Sequence, residues 1–139
     1  MNEKRVRGVM ISMRRIVLDL QSGLFADAVS QTLGRSEPDF LIILSESPDK
    51  TLGLCRSGRA YAVLMEVTVY PPWRLEERLR LCGELRKLMP ECRILLLVDE
   101  VSSDTLALGV KQAKKDGYID GFVYASISPA YLAALLDTL

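Results

Sequence analysis

The chain has 139 residues, 49% of them hydrophobic, with eighteen basic and eighteen acidic side chains and no histidine. That size suits one ordinary domain, and a zero formal charge supplies no field that would draw the whole chain to nucleic acid or to an anionic membrane. Without histidine there is no Ser-His or Cys-His nucleophilic pair, no histidine metal ligand and no phosphohistidine.

The opening "MNEKRVRGVMISMRR" is basic, but Arg7, Arg14 and Arg15 bracket an apolar stretch too short for a signal peptide. Residues 1–13 read as an N-terminal extension and 14–139 as the domain. Five apolar runs read as strands buried on both faces: "RIVLDL" (15–20), "DFLIILS" (39–45), "AYAVLMEV" (60–67), "RILLLV" (93–98) and "GFVYAS" (121–126). A helix candidate follows each. Ser22 is placed to cap "GLFADAVSQTLG", which stops at Gly34, and Pro48 to Gly58 forms a short second helix. The third helix, "WRLEERLRLCGELRKLM", carries Leu75, Leu79, Cys82, Leu85 and Leu88 or Met89 at core spacing. Its charges, Arg74, Arg78, Arg80, Arg86 and Lys87 among Glu76, Glu77 and Glu84, read as a solvated face and not as a nucleic-acid stripe. Trp73 is expected to cover the junction between the preceding loop and this helix. Ser102 or Ser103 caps the fourth helix, whose inward stripe is Leu106, Val110 and Ala113. In the fifth, Ser128 caps, Pro129 takes the first turn, and Leu132, Leu135, Leu136 and Leu139 face inward. The longest uncharged apolar runs, "FLIIL" and "ILLLV", are too short to span a bilayer, so a soluble cytoplasmic protein is expected. Cys55, Cys82 and Cys92 are odd in number and lack C-x-x-C spacing, which favours reduced thiols. Five β-α units predict an α/β domain with a parallel sheet and helices on both faces.

The stretches "RRIVLDLQSGLFADAV", "YAVLMEV", "RILLLV" and "DGFVYASISPAYLAALL" resemble, in order and spacing more than in identity, the receiver domain of bacterial two-component response regulators. The resemblance is to the subclass that often precedes a LuxR-type helix-turn-helix, and it covers residues 14–139. It implies a flavodoxin-like (CheY-like) three-layer sandwich: a five-stranded parallel sheet in the order 2-1-3-4-5 with five helices, and a pocket at the carboxyl ends of the first and third strands. In that family the third strand ends on the aspartate that accepts a phosphoryl group, and Glu66 occupies the matching place. The acidic pair that holds Mg²⁺ falls on Leu20 and Gln21, the hydroxyl that closes the fourth strand on Val98, and the lysine that closes the fifth on Ala125. Phe122 falls on the aromatic that rotates on switching, although an aromatic on a central strand also reads simply as core. The loops depart from the pattern: "EVTVYPP" places its first proline one residue late, and "KKDGYIDG" has one residue more than usual.

Glu66 has three readings: a plain strand-end carboxylate, a fixed anionic mimic of a phosphorylated site, or part of a remodelled cation site with Asp19, Glu46, Asp99 and Glu100. Asp19 would join such a site only if its strand slipped by one residue, which turns every side chain over. The expectation is an atypical receiver, or pseudo-receiver, that is not an enzyme, uses no cofactor or metal and acts independently of phosphorylation. A flavodoxin-like domain for a small ligand or nucleotide is the alternative, weakened by the lack of G-x-G-x-x-G or a P-loop; so is a true phosphoacceptor with remodelled carboxylates. The fifth helix has a single charge, Asp137, and its core stripe leaves Tyr131, Ala134 and Thr138 on one flank. With Leu108 and Lys111 of helix four at its edge, that flank is the expected face for a homodimer or protein partner. A DNA-binding output domain would lie outside this chain, which itself is expected to touch neither membrane nor nucleic acid.

Overall fold

The structure, a computed structural model, describes residues 13–99 and 104–139 in full and the backbone strands β1 (Glu3–Val6) and β2 (Val9–Ser12). These two strands form an antiparallel hairpin with Val6 opposite Val9. The segment expected only as an extension thus carries two strands of its own, and its signal is two short β-prone runs two residues apart, one of those two being Gly8.

Alternation of apolar runs and amphipathic stretches then becomes β3 (Arg14–Asp19), α1 (Gly23–Ser36), β4 (Phe40–Leu44), α2 (Pro48–Gly58), β5 (Ala62–Val67), α3 (Leu75–Leu88), β6 (Arg93–Val98), α4 (Asp104–Lys115), β7 (Gly121–Tyr124) and α5 (Pro129–Asp137). The five strands after the hairpin are parallel and ordered β4-β3-β5-β6-β7, which is the expected 2-1-3-4-5 when the hairpin is left out. Period-two alternation divides the core. Ile16, Leu18, Leu64 and Leu95 pack with α1 and α5, whereas Val17, Val63, Met65 and Leu96 pack with α2, α3 and α4. Each such fully buried side chain contributes roughly 1.5–3 kcal/mol relative to exposure.

Three expectations change. Burial on both faces holds for β3, β5 and β6 but not for the two edge strands, β4, where Leu41 and Leu44 are exposed, and β7, where Phe122 and Tyr124 are only half-buried. Helix α1 does not stop at Gly34; it runs to Ser36, where the Glu37 N–H bonds the Leu33 carbonyl at 3.1 Å. A glycine inside a helix costs about 1 kcal/mol relative to alanine and by itself ends nothing. In α5, Leu135 and Leu139 are only half-buried, and Ala133 takes the inward place beside Leu132 and Leu136. The expected cap holds there: the Ser128 hydroxyl oxygen accepts the Tyr131 N–H at 3.2 Å, and Pro129 occupies the first position. The proposed caps of α4, Ser102 and Ser103, lie outside the described residues.

At the base of the sheet Arg14 binds Asp39 and Asp137 while its guanidinium lies over the Phe40 and Tyr61 rings. Hydrogen bonding to Asp39 holds that guanidinium even further above its ordinary pKa. The Tyr61 hydroxyl donates to the Leu136 carbonyl at 2.7 Å, so the end of α5 is fixed to the starts of β3 and β5. No helix among the described residues is long and apolar enough to cross a membrane.

Candidate functional site

Glu66 is the next-to-last residue of β5, opposite Leu97 of β6. Its neighbours Met65 and Val67 point into the α2–α4 side of the core, so the pleat sends Glu66 to the other side, toward the start of α1. There Glu66 Oε1 accepts the backbone N–H of Gln21 at 2.8 Å. Gln21 lies in the turn from β3 to α1, next to the N-cap Ser22, whose Oγ accepts the Phe25 N–H at 3.3 Å. A carboxylate at the approach to a helix N-terminus is favoured by the helix dipole and by the backbone donors exposed there.

The crest around it is a two-lobed trough. One lobe, about 540 Å³, is lined by Gln21, Ser22, Phe25, Glu66, Asp99 and Ala125. The other, about 370 Å³, shares Gln21, Glu66 and Asp99 and is closed by residues 67–70, of which Val69 and Tyr70 are exposed. Glu66, Gln21 and Ala125 therefore meet as the sequence positions imply. Leu20 and Val98 do not line the trough: Leu20 packs in the α1–α5 core and Val98 in the opposite one. A Mg²⁺ ion of the kind the receiver resemblance implies does not fit this donor set. Leu20 offers no oxygen and is turned into the core, Gln21 brings a neutral amide in place of a carboxylate, and Glu66 Oε1 is already engaged by the Gln21 backbone N–H.

Asp19 leads elsewhere. In the register Leu18↔Leu64 and Asp19↔Met65 its side chain faces α2 and α3, where it is 1% exposed. Arg78 of α3, also 1% exposed, bonds it from Nη1 to Oδ2 at 2.6 Å and from Nη2 to Oδ1 at 3.2 Å. The same guanidinium donates through Nε to the Glu66 carbonyl at 2.8 Å and through Nη2 to the Asp19 carbonyl at 3.2 Å. The Thr51 hydroxyl of α2 donates to Asp19 Oδ2 at 2.6 Å. Ser45 Oγ lies 2.8 Å from Thr51 Oγ1 and 2.8 Å from the Ser47 carbonyl; with the Thr51 proton given to Asp19, the Ser45 hydroxyl donates to one of the two. A charge that would be costly alone is thus paired and hydrogen-bonded on every side, and the tie joins β3, β5, α2 and α3 directly beneath Glu66.

Two sequence readings are corrected here. Arg78 is no part of a solvated face. It stands with Leu75, Cys82 and Leu85 at helical spacings of three and four, which was the signal available for it. The remodelled cation site does not assemble: Asp19 is taken by Arg78, Glu46 is exposed and pairs with Lys50, and Glu100 lies outside the described residues. Among the described residues no group of three or more His, Cys, Asp or Glu is placed to hold a metal.

Elsewhere, Phe122 is half-buried against the α2–α4 side of the core, edge-on to Tyr124 with ring centroids 6.0 Å apart. Trp73 is half-buried at the loop and helix junction, where its carbonyl accepts the Thr68 N–H at 2.8 Å. Leu108, Lys111, Tyr131, Ala134 and Thr138 are all exposed, and Tyr131, Ala134 and Thr138 border one shallow depression with Leu135. All three cysteines are free and buried; desolvation pushes the Cys82 thiol up to about 12, so it stays protonated and unreactive.

No family model matches the chain, and no curated protein matches it. Solved structures do. A receiver domain protein (CheY-like) from Methanospirillum hungatei superposes with a TM-score of 0.73 at 13% identity, over 91% of this chain and 93% of that one. A LuxR-family DNA-binding response regulator from Staphylococcus aureus gives 0.71 at 13% identity, over 91% and 98%. An orphan response regulator of H. pylori gives 0.70 at 14% identity, over 90% and 94%. With its strand order and crest pocket, the chain has the fold of response-regulator receiver domains.

Proposed function

We propose that the chain is a receiver-fold signalling module of the cytoplasm that works through protein contacts and neither accepts a phosphoryl group nor catalyses a reaction. The observation that carries this reading is the state of the crest. The carboxylate in the acceptor's place, Glu66, is already held by the Gln21 N–H, and among the described residues that line the crest there is no lysine or arginine to neutralise developing phosphoryl charge, while the second carboxylate there, Asp99, adds charge of the same sign. Glu66 then serves as a permanent anion at the start of α1. Likeness to an orphan regulator and to a LuxR-family regulator supports a place in transcription control, with DNA contacts made by an output domain outside this chain. Incubation with acetyl phosphate and Mg²⁺ is expected to add no phosphoryl mass to the intact protein by mass spectrometry; a stoichiometric adduct on Glu66 or Asp99 would overturn the reading.

The contact face is the α4–β7–α5 side. Tyr131 is 62% and Leu108 65% exposed, and on α5 Tyr131, Ala134 and Thr138 border one shallow depression with Leu135 in which no side chain is charged. Self-association through this face is expected, and Tyr131→Glu should weaken it by about 1–2 kcal/mol, roughly tenfold in Kd, in sedimentation velocity. Circular dichroism should be unchanged, because the side chain is exposed. A wild type that stays monomeric at high concentration, or a variant that associates equally well, rules this out.

A further inference from the structure

Two of the three buried thiols are neighbours at the base of the sheet, the end opposite the crest. Cys55 lies in the last turn of α2, where its carbonyl accepts the Ala60 N–H at 2.9 Å. Cys92 immediately precedes β6, whose first residue, Arg93, donates its N–H to the Tyr61 carbonyl at 3.0 Å. The dipeptide Ala60-Tyr61 thus fixes the backbone of both, and both side chains enter the α2–α3 side of the core with Val63, Leu85 and Ile94. There the Cys55 thiol is hydrogen-bonded to the Cys92 sulfur. Packing alone needs no such pair, since a buried thiol otherwise behaves as a small apolar group.

The surroundings favour reaction at one sulfur of the two. Arg86 Nη1 donates to the Cys92 carbonyl at 3.4 Å, which brings a guanidinium close to that residue. The hydrogen bond from Cys55 holds the Cys92 thiol below its ordinary pKa against the opposing effect of burial, and the charge of Arg86 adds to it. The same hydrogen bond pushes the Cys55 thiol up, so Cys92 is the nucleophile of the pair. Next to them lies a cleft of about 330 Å³ lined by Arg59, Ala60, Leu88, Met89, Pro90 and Glu91. On its wall Arg59, the C-cap of α2, adopts φ 50° and ψ 56°, left-handed values that are costly for a residue with a side chain. A strained turn beside a cleft is where the end of α2 yields to a small molecule.

We infer that Cys55 and Cys92 are a redox-sensitive pair that hydrogen peroxide converts to a disulfide, stapling the end of α2 to the start of β6. In the first step the Cys92 thiolate attacks one peroxide oxygen. The S–O bond forms, the O–O bond breaks, and the departing hydroxide leaves as water with the proton the thiol gave up. The Cys55 sulfur then attacks the sulfenic sulfur of Cys92. The S–S bond forms, the S–O bond breaks, and hydroxide leaves as water with the Cys55 proton. Two thiols are oxidised and one peroxide is reduced to two waters; a dithiol reverses the change by exchange. In a reducing compartment such a bond is transient, which suits a sensor. Helix α2 also carries Thr51, which bonds Asp19 beneath Glu66, so a staple at one end of that helix acts on the tie that braces the crest.

The test treats the reduced full chain with hydrogen peroxide, quenches it, unfolds it and alkylates the remaining thiols with N-ethylmaleimide. Peptide mapping by mass spectrometry should find Cys82 alkylated and Cys55 linked to Cys92, and dithiothreitol should make all three cysteines alkylatable again. The oxidised form should melt roughly 5–10 °C above the reduced one, the shift expected when a cross-link closes a loop of this length. Cys55→Ala keeps the nucleophile and should stop at a sulfenic acid on Cys92 that dimedone traps, whereas Cys92→Ala should leave Cys55 alkylatable. Three free thiols in the treated wild type, a link through Cys82, a cross-linked form that melts no higher, or an equal yield of the Cys55–Cys92 link when the chain is first unfolded in urea would each overturn the inference. Mapping and melting of the wild type need no variant, so the test stands even if a substitution disturbs the core.

Discussion

Asp19→Ala is expected to lower the free energy of unfolding by about 3–5 kcal/mol, because it leaves the Arg78 guanidinium buried without its counter-charge. Arg78 is 1% exposed, and its remaining partners would be two carbonyl oxygens, those of Asp19 and Glu66. Thr51 would also lose the acceptor of its hydroxyl. The expected size contrasts with the Lys50–Glu46 pair, exposed on both sides, where removal of either partner should cost less than about 1 kcal/mol. Arg78→Met in the Asp19→Ala background should recover part of the loss, since an apolar pair of similar volume needs no desolvation, and the double-mutant cycle then reports a coupling of roughly 1–3 kcal/mol. Urea denaturation with an unchanged m-value measures all three variants. A single Asp19→Ala variant within 1 kcal/mol of wild type, the scale of a surface pair, would show that the tie is not what holds α3 to the strand ends.

That tie also shows where sequence reading succeeds and where it stops. Apolar runs bounded by charge or proline specify elements locally, so β6 at Arg93–Val98, α2 at Pro48–Gly58 and the Ser128-Pro129 start of α5 follow from short stretches alone. The meeting of Glu66, Gln21 and Ala125 was legible because a parallel sheet puts every strand's carboxyl end on one edge. Arg78 was not. Its charge matched the alternating signs around it, and only a partner 59 residues away explains its burial. Two oddities, an acid within the apolar run "RIVLDL" and an arginine on a helix's core stripe, answer each other, but pairing them needs the fold first. The exposure of β4 was missed for a related reason: an edge strand and a central strand of a parallel sheet differ in topology and not in composition. Leu20 and Val98 were placed in the pocket by alignment, and the pleat turns both into the core.

That last point carries a sharp contrast between two adjacent residues. Leu20→Asp should destabilise the fold by about 3 kcal/mol or more, since it gives up roughly 1.5–3 kcal/mol of apolar burial and adds the desolvation of a carboxylate. The site is only 7% exposed and packs among the α1 and α5 side chains, where no basic partner is at hand among the described core residues. Gln21→Asp should cost less than about 1 kcal/mol, the level of an ordinary surface change, because the side chain is exposed and the bond to Glu66 comes from the backbone N–H. Placing an acid at Leu20 should therefore fail to create a Mg²⁺ site, because the carboxylate is turned away from the crest, whereas at Gln21 it would stand on the trough with Glu66 and Asp99. Thermal unfolding with and without Mg²⁺ tests both. If Leu20→Asp folded as stably as the wild type and gained a Mg²⁺-dependent rise in Tm, its side chain would have turned into the trough, and the crest would be a dormant metal site one substitution away from phosphoryl chemistry instead of a surface shaped for contact.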